Sequence, residues 1–164
     1  MKIGEITFGQ AWEYGGPLMW VLAFLSVAAL ATTLYILFAQ RRGAFLRDAI
    51  AALKASKDPE AEGARIAERL HSSVDWLADI AAIAPLVGLL GTVLGMFTAF
   101  GGIAADVTAG AKPVVLAQGV SQAIVTTIFG LVVAIPSLVL HAMLRRRAAS
   151  LVAALEEKAD EIFA

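Results

Sequence analysis

The sequence predicts an all-α membrane protein with three transmembrane helices and helical extensions on the cytoplasmic side. Three observations carry this. First, 59% of the 164 residues are apolar and only 16% are charged, where a soluble domain has roughly 45–50% and about 25%; the mean hydropathy is +0.77. So much apolar surface needs a solvent other than water, and lipid supplies one. Second, three long stretches contain no Asp, Glu, Lys or Arg: Gly15 to Ala39, Ile80 to Ala105 and Pro113 to Leu144. A helix needs about 20 apolar residues to span a hydrocarbon core of roughly 30 Å, and all three stretches suffice. Third, the positive charges fall almost entirely on one side of these spans.

Taken in order, residues 1–14 read as a short amphipathic segment at the membrane surface. Ile3, Ile6, Phe8 and Trp12 can dip into the interface, and Trp12, Tyr14 and Trp20 suit an aromatic belt. The segment after Lys2 is too weakly apolar for a signal peptide, and no Ala-x-Ala-like site follows the first span before Arg41. Pro17 suits the first turn of a helix, where its missing N–H costs nothing, and the first span covers 17–39. Residues 41–79 form a helical loop: Phe45, Leu46, Ile50 and Leu53 keep helical spacing. Asp58-Pro59-Glu60 then restarts a helix, with Asp58 as N-cap and Pro59 at the first position. Ile66, Leu70, Ser73 and Leu77 share a face that runs into the second span, 80–105. A turn over 106–112 leads to the third span, 113–144, which is longer than a crossing requires and therefore tilts or continues into water. In the tail, 145–164, Leu151, Leu155 and Ile162 form one stripe.

Orientation follows from Lys and Arg. Arg41, Arg42, Arg47, Lys54, Lys57, Arg65 and Arg69 lie between spans one and two, and Arg145, Arg146, Arg147 and Lys158 follow span three. Of the 13 Lys and Arg residues only Lys2 and Lys112 fall on the other side. The loop and the C-terminal tail are thus cytoplasmic, with Arg41, Arg42 and Arg145–Arg147 as topology anchors. The N-terminus and the 106–112 turn face outward, which in a Gram-negative cell is the periplasm. Anionic lipid is a further partner for the arginine cluster.

The net charge of −1 gives no case for nucleic acid. With no cysteine there is no disulfide, thiolate nucleophile or Cys-based metal site. No paired acids, P-loop or metal-ligand spacing occurs, so neither catalysis nor a cofactor or metal is expected. Intramembrane ionisable groups mark ion pathways, but no carboxylate lies deep in any span. Asp79 stands at the entrance of span two and His141 near the Arg145 end, where a packing histidine is the ordinary reading; His71 reads as a solvated surface residue. If protons cross by a titrating side chain, a partner supplies it.

Small and polar residues mark spans two and three. Gly91 and Gly95 form a GxxxG pair with Gly88 one turn earlier, a pattern that lets helix backbones approach closely in lipid. Pro85 removes one backbone bond and is expected to kink the helix. Thr92 either bonds the carbonyl one turn back or lines a pore. Gln118, Gln122 and Thr126, spaced four apart, form a polar stripe, and Thr127 lies about 100° further round. An amide in hydrocarbon must find a partner or water, so the stripe faces either another helix or a hydrated lumen. Gly130 and Pro136 read as packing and kink residues.

The segment from Ile83 to Met96, with Pro85, Gly88, Gly91, Thr92 and Gly95, resembles the second-span signature of the ExbB/TolQ/MotA proton-channel family. The segment from Gln118 through Thr126 and Thr127 to Gly130 and Pro136 is similar to its third-span signature. With the first span, loop and tail, the resemblance covers nearly the whole chain, and three spans favour the ExbB/TolQ branch. The resemblance implies a homo-oligomeric ring, usually a pentamer, with spans two and three lining a central pore. The pore would hold single-span ExbD/TolR-like helices whose membrane Asp is the main proton carrier. Proton flow would drive a TonB- or TolA-like protein. By position, Thr92 and Thr127 match the family's pore-lining threonines, and Gln122 and Thr126 lie on the same path. One departure stands out: ExbB and TolQ commonly carry a glutamate where this chain has Gln122, and an amide cannot titrate.

The leading expectation is an ExbB-type stator that energises TonB-dependent outer-membrane transport, with a TolQ-like stator for envelope integrity as its near variant. A non-conducting scaffold is the alternative from another class; it would follow if the span-three stripe faced only a helix. A solute transporter is disfavoured by three spans without an internal repeat or broken-helix pair.

Overall fold

The computed structural model describes residues 8–39, 42–104 and 112–163, all of them helical apart from short connections. Five helices follow one another: α1 (Phe8–Gly15), α2 (Leu18–Ala39), α3 (Arg42–Ala55), α4 (Pro59–Ala104) and α5 (Lys112–Phe163). Of these, α2, α4 and α5 are long and apolar enough to cross a membrane. The 46 residues of α4 and 52 of α5 rise about 1.5 Å each, so either helix is more than twice as long as the roughly 30 Å hydrocarbon core. Each must extend well beyond lipid. α5 passes through Arg145–Arg147 without a break, so span three and the tail are one continuous helix.

Local chemistry sets the helix ends. Gly16 adopts a positive φ of 64°, open to glycine at no steric cost, and turns the chain between α1 and α2. Met19 N–H donates to the Gly16 carbonyl and Trp20 N–H to that of Pro17, so Pro17 stands in the turn immediately before α2, one residue ahead of the first helical position, Leu18. Asp58 caps α4: its Oδ1 accepts from Ala61 N–H at 3.1 Å, and Ser56 Oγ accepts from Asp58 N–H at 3.2 Å.

The helices contribute to two compact units. One holds α1, α2 up to Val27, α4 from Ile80 and α5 up to Pro136; the other holds the rest of α2, α3, the start of α4 and the end of α5. In the second unit Ile36, Leu70, Val74, Leu77, Leu144 and Ala148 form one core cluster, and Ala49, Leu53 and Leu155 another. The buried positions Leu144, Ala148, Leu151 and Leu155 follow alternating four- and three-residue steps, the spacing of a coiled-coil seam. Two expectations need correction. Ile162 is 41% exposed and does not extend the buried Leu151–Leu155 stripe. Ser73 is only half-buried, and Val74 takes the core position beside it.

In the first unit Met19, Leu22, Ala84 and Ala134 are buried, with Trp12, Leu25 and Phe129 packed around them. Trp12 meets Trp20 edge-to-face at 5.1 Å between ring centroids. Trp12 is therefore part of the protein's own packing, while Trp20 is exposed as a belt residue would be. Ile3 and Ile6 lie outside the described residues. The spans expose many large apolar side chains, including Phe24, Leu86, Val93, Phe97, Ile128, Val132 and Leu138. Such a surface would be costly in water and is satisfied in lipid or against other apolar helices.

Candidate functional site

The residues singled out in spans two and three meet within the first unit along a seam between α4 and α5. Its geometry is set by missing side chains. A Cβ on Gly88 would lie 3.0 Å from the Thr126 carbonyl oxygen and 3.1 Å from Thr127 Cα; one on Gly95 would lie 2.8 Å from the Gly119 carbonyl oxygen. On Gly91 it would overlap Thr126 Oγ1 and lie 2.5 Å from Thr126 Cβ. From the other side, a Cβ on Gly130 would come within 2.8 Å of the Ala84 carbonyl oxygen, and one on Gly119 would collide with Ala99. The two backbones thus touch directly through small residues, the contact that replaces hydrophobic driving force inside lipid.

The hydroxyls sort by their place on this seam. Thr126 is fully buried against Gly91, and its Oγ1 donates to its own helix, 3.1 Å from the Gln122 carbonyl and 3.0 Å from that of Ala123. Thr127 Oγ1 crosses the seam and donates to the Gly88 carbonyl at 3.3 Å. Thr92 stands off the seam, half-buried, and donates to the Leu89 carbonyl at 2.6 Å, the local bond its sequence position allows. Pro85 follows buried Ala84 and deprives the Ala81 carbonyl of its helical donor, yet α4 continues through it. Pro136 is exposed, so it is not a packing residue within the protomer.

The polar stripe of α5 divides. Thr126 enters the seam, but Gln118 is exposed and Gln122 half-buried. Both line a cavity of about 510 Å³ together with Glu13, Thr98, Ala99, Val115 and Gly119. The turn at Gly16 seats on Gln122: a Cβ there would be 3.0 Å from Gln122 Nε2. His141 Nδ1 lies 3.0 Å from the Val74 carbonyl; a carbonyl can only accept, so Nδ1 carries the proton, a packing role. His71 is exposed. Of the arginine anchors, Arg145 and Arg146 are exposed and Arg147 is half-buried with a partner. Arg42 opens α3, and Arg41 lies outside the described residues, as does the 106–111 part of the outward turn.

Sequence reasoning missed Ala84, Gly119 and Ala123, which meet the recognised glycines, and Ala99, which meets Gly119. Gly119 and Ala123 are themselves a small-xxx-small pair on α5, a signal that was there to use. It also missed Glu13, whose place beside Gln122 depends on α1 folding back, which no local pattern announces.

Fold and site define a class: a three-span helical membrane protein whose second and third spans close on a glycine seam, with hydroxyls and amides but no carboxylate within those spans. Residues 40–157 match the MotA/TolQ/ExbB proton channel family, and the chain belongs to that family. It is similar to the biopolymer transport protein ExbB of Salmonella typhimurium, 40% identical over 87 residues that make up 53% of this chain and 35% of that protein. It is similar also to ExbB of Pseudomonas putida, 36% identical over 93 residues, 57% of this chain and 28% of that protein. The Tol-Pal system protein TolQ of Pseudomonas aeruginosa is 34% identical over 94 residues, 57% of this chain and 40% of TolQ. The matched segments thus span well under half the length of these relatives. ExbB and TolQ relatives together place the chain in the ExbB/TolQ branch.

Proposed function

We propose that this chain is the ring-forming subunit of a motor in the bacterial inner membrane, driven by the proton motive force. Copies of the chain, five on the family's pattern, surround ExbD/TolR-like single-span helices whose membrane Asp carries the proton. The α4 and α5 spans line the pore, with Thr92, Thr127 and Gln122 on the proton path, while Thr126, fully buried, supports that wall from inside the seam. The N-terminus is periplasmic and the C-terminus cytoplasmic. The observation that carries this reading is the direct seam between the two signature segments: it welds α4 and α5 into one stiff wall, which a ring turning against a central helix needs. The lack of a carboxylate in either span fits a partner-supplied proton carrier.

Two driven systems fit. The ExbB relatives support a TonB-type protein energising outer-membrane transport, and the TolQ relative supports a TolA-type protein maintaining the envelope. Deleting the gene separates them. Loss of energy-dependent uptake across the outer membrane is expected for the first, and leakage of periplasmic enzymes with division defects for the second. A deletion with neither defect counts against the motor proposal.

A further inference from the structure

We propose that copies of this chain join head to tail through two outward faces of the second unit: the α4 face around Glu68 receives the α5 face around Arg146 of the next copy, and the two side chains pair across the contact. The inference rests on the ring reading above and adds to it the faces, their register and the charge pair. Both faces lie outside the two signature segments.

Helix geometry fixes where these faces point. Leu70, Val74 and Leu77 turn α4 toward the core of the unit. At about 100° per residue, Ala61, Ala64, Glu68 and Ser72 all lie roughly 110° or more round from the centre of that buried stripe, and all four are exposed. On α5 the buried stripe is Leu144, Ala148, Leu151 and Leu155. Ala142, Arg146, Ser150 and Ala153 lie about 130° or more round from its centre and are likewise exposed. Both stripes turn inward, so the two faces leave the protomer in different directions. Each face carries its long charged side chain between small residues, the composition that lets helix backbones approach closely.

The heights agree as well. The Val74 carbonyl accepts from His141 Nδ1 at 3.0 Å, which sets the antiparallel helices level at residues 74 and 141. Counted from there at 1.5 Å per residue, Glu68 lies about 9 Å and Arg146 about 7.5 Å toward the same end. The same count sets Ser72 level with Ala142, Ala64 with Ser150 and Ala61 with Ala153, each to within about 1.5 Å. Rotation about an axis normal to the membrane preserves height, so these levels meet between neighbours in a ring. The charges select the same arrangement. Among the described residues the one salt bridge is Arg65–Glu62, so Glu68 and Arg146 have no ionic partner within the protomer. Asp75 and Asp79, both exposed, continue the α4 face within about 20° of Glu68 and deepen its negative field. Two-fold pairing of α4 faces would set acid against acid. Head-to-tail contact sets acid against arginine, and such a heterologous contact closes into a ring.

The chain has no cysteine, so introduced cysteines report this contact alone. Ala64→Cys with Ser150→Cys in one chain, co-expressed with the single-span partner and mildly oxidised in membranes, is expected to give a ladder of disulfide-linked copies up to the full ring. Ala61→Cys with Ala142→Cys, about 18 Å out of register, should give none. Charge reversal reads the pair itself. Glu68→Arg should lower the ring fraction several-fold in native mass spectrometry with helicity unchanged, and adding Arg146→Glu should restore it. Dimers from Ala64→Cys alone would show two α4 faces together and overturn the proposal. A full ring in Glu68→Arg, or no rescue by Arg146→Glu, overturns the charge pair. A wild-type ring without the Ala64–Ser150 ladder overturns the contact and leaves the ring reading standing. A wild-type chain that forms no ring overturns both.

Discussion

Gly91→Ala isolates the claim that α4 and α5 touch backbone to backbone. The added Cβ would overlap Thr126 Oγ1 and lie 2.5 Å from Thr126 Cβ and 2.9 Å from Cγ2. Carbon atoms rest at about 3.5–4.0 Å, so something must move by about 1 Å. Thr126 cannot: it is β-branched, stiff at χ1, fully buried and tied to the Gln122 and Ala123 carbonyls. The helices must part, which loosens the contacts of Gly88, Gly95, Gly119 and Gly130 together. Overpacking of this kind costs about 1–3 kcal/mol, against a helix-propensity gain of about 0.5–1 kcal/mol for Gly→Ala. Gly101→Ala supplies the control. It lies on the same helix, and a Cβ there meets nothing within 4 Å, so only the propensity gain remains. The stability difference between the two variants is then the overpacking cost itself, about 1–3 kcal/mol. It is read from denaturation midpoints in one detergent, followed by helicity and by tryptophan fluorescence. Adding Thr126→Gly to Gly91→Ala should recover most of the loss. Equal stability of Gly91→Ala and Gly101→Ala would refute the seam.

Other expectations follow from single contacts. Thr127→Val removes the bond to the Gly88 carbonyl at nearly constant shape, for about 0.5–1.5 kcal/mol; the ring should assemble while proton-driven function weakens, and full activity would exclude a pore role for Thr127. Leu77→Ala empties a site with 0% exposure and should cost about 2–5 kcal/mol in the same denaturation assay; a loss below about 1 kcal/mol would mean the second unit's core is not where Leu77 sits. Asp58→Ala removes the α4 cap, worth about 1 kcal/mol; hydrogen exchange at Ala61 N–H should accelerate, and an unchanged rate would show that the cap does not hold the helix end.

Much of the fold was legible because lipid enforces a simple rule: a charge-free stretch of sufficient length becomes a helix. The start of α4 was legible because Asp58 and Pro59 each do one job at a helix N-terminus. The continuity of α5 through Arg145–Arg147 was not, since three arginines suit a helix as well as a boundary. The polar stripe misled for a geometric reason. Eight residues of a 3.6-residue helix leave a rotation of about 80°, enough to bury Thr126 in the seam while Gln118 opens into a cavity. One side of the seam was visible in Gly88, Gly91 and Gly95. The other was hidden, because Ala123 is unremarkable in any helix and Gly119 has meaning only once its neighbour Ala99 is known. Glu13 was invisible as a site residue for want of any local sign that α1 returns to α5.

Native mass spectrometry tests the central claim most directly, on the chain co-expressed with the small single-span protein encoded beside it. The account predicts a closed ring of this chain, five copies, retaining one or two copies of an Asp-bearing partner. A monomer or dimer that leaves the partner unbound would contradict it.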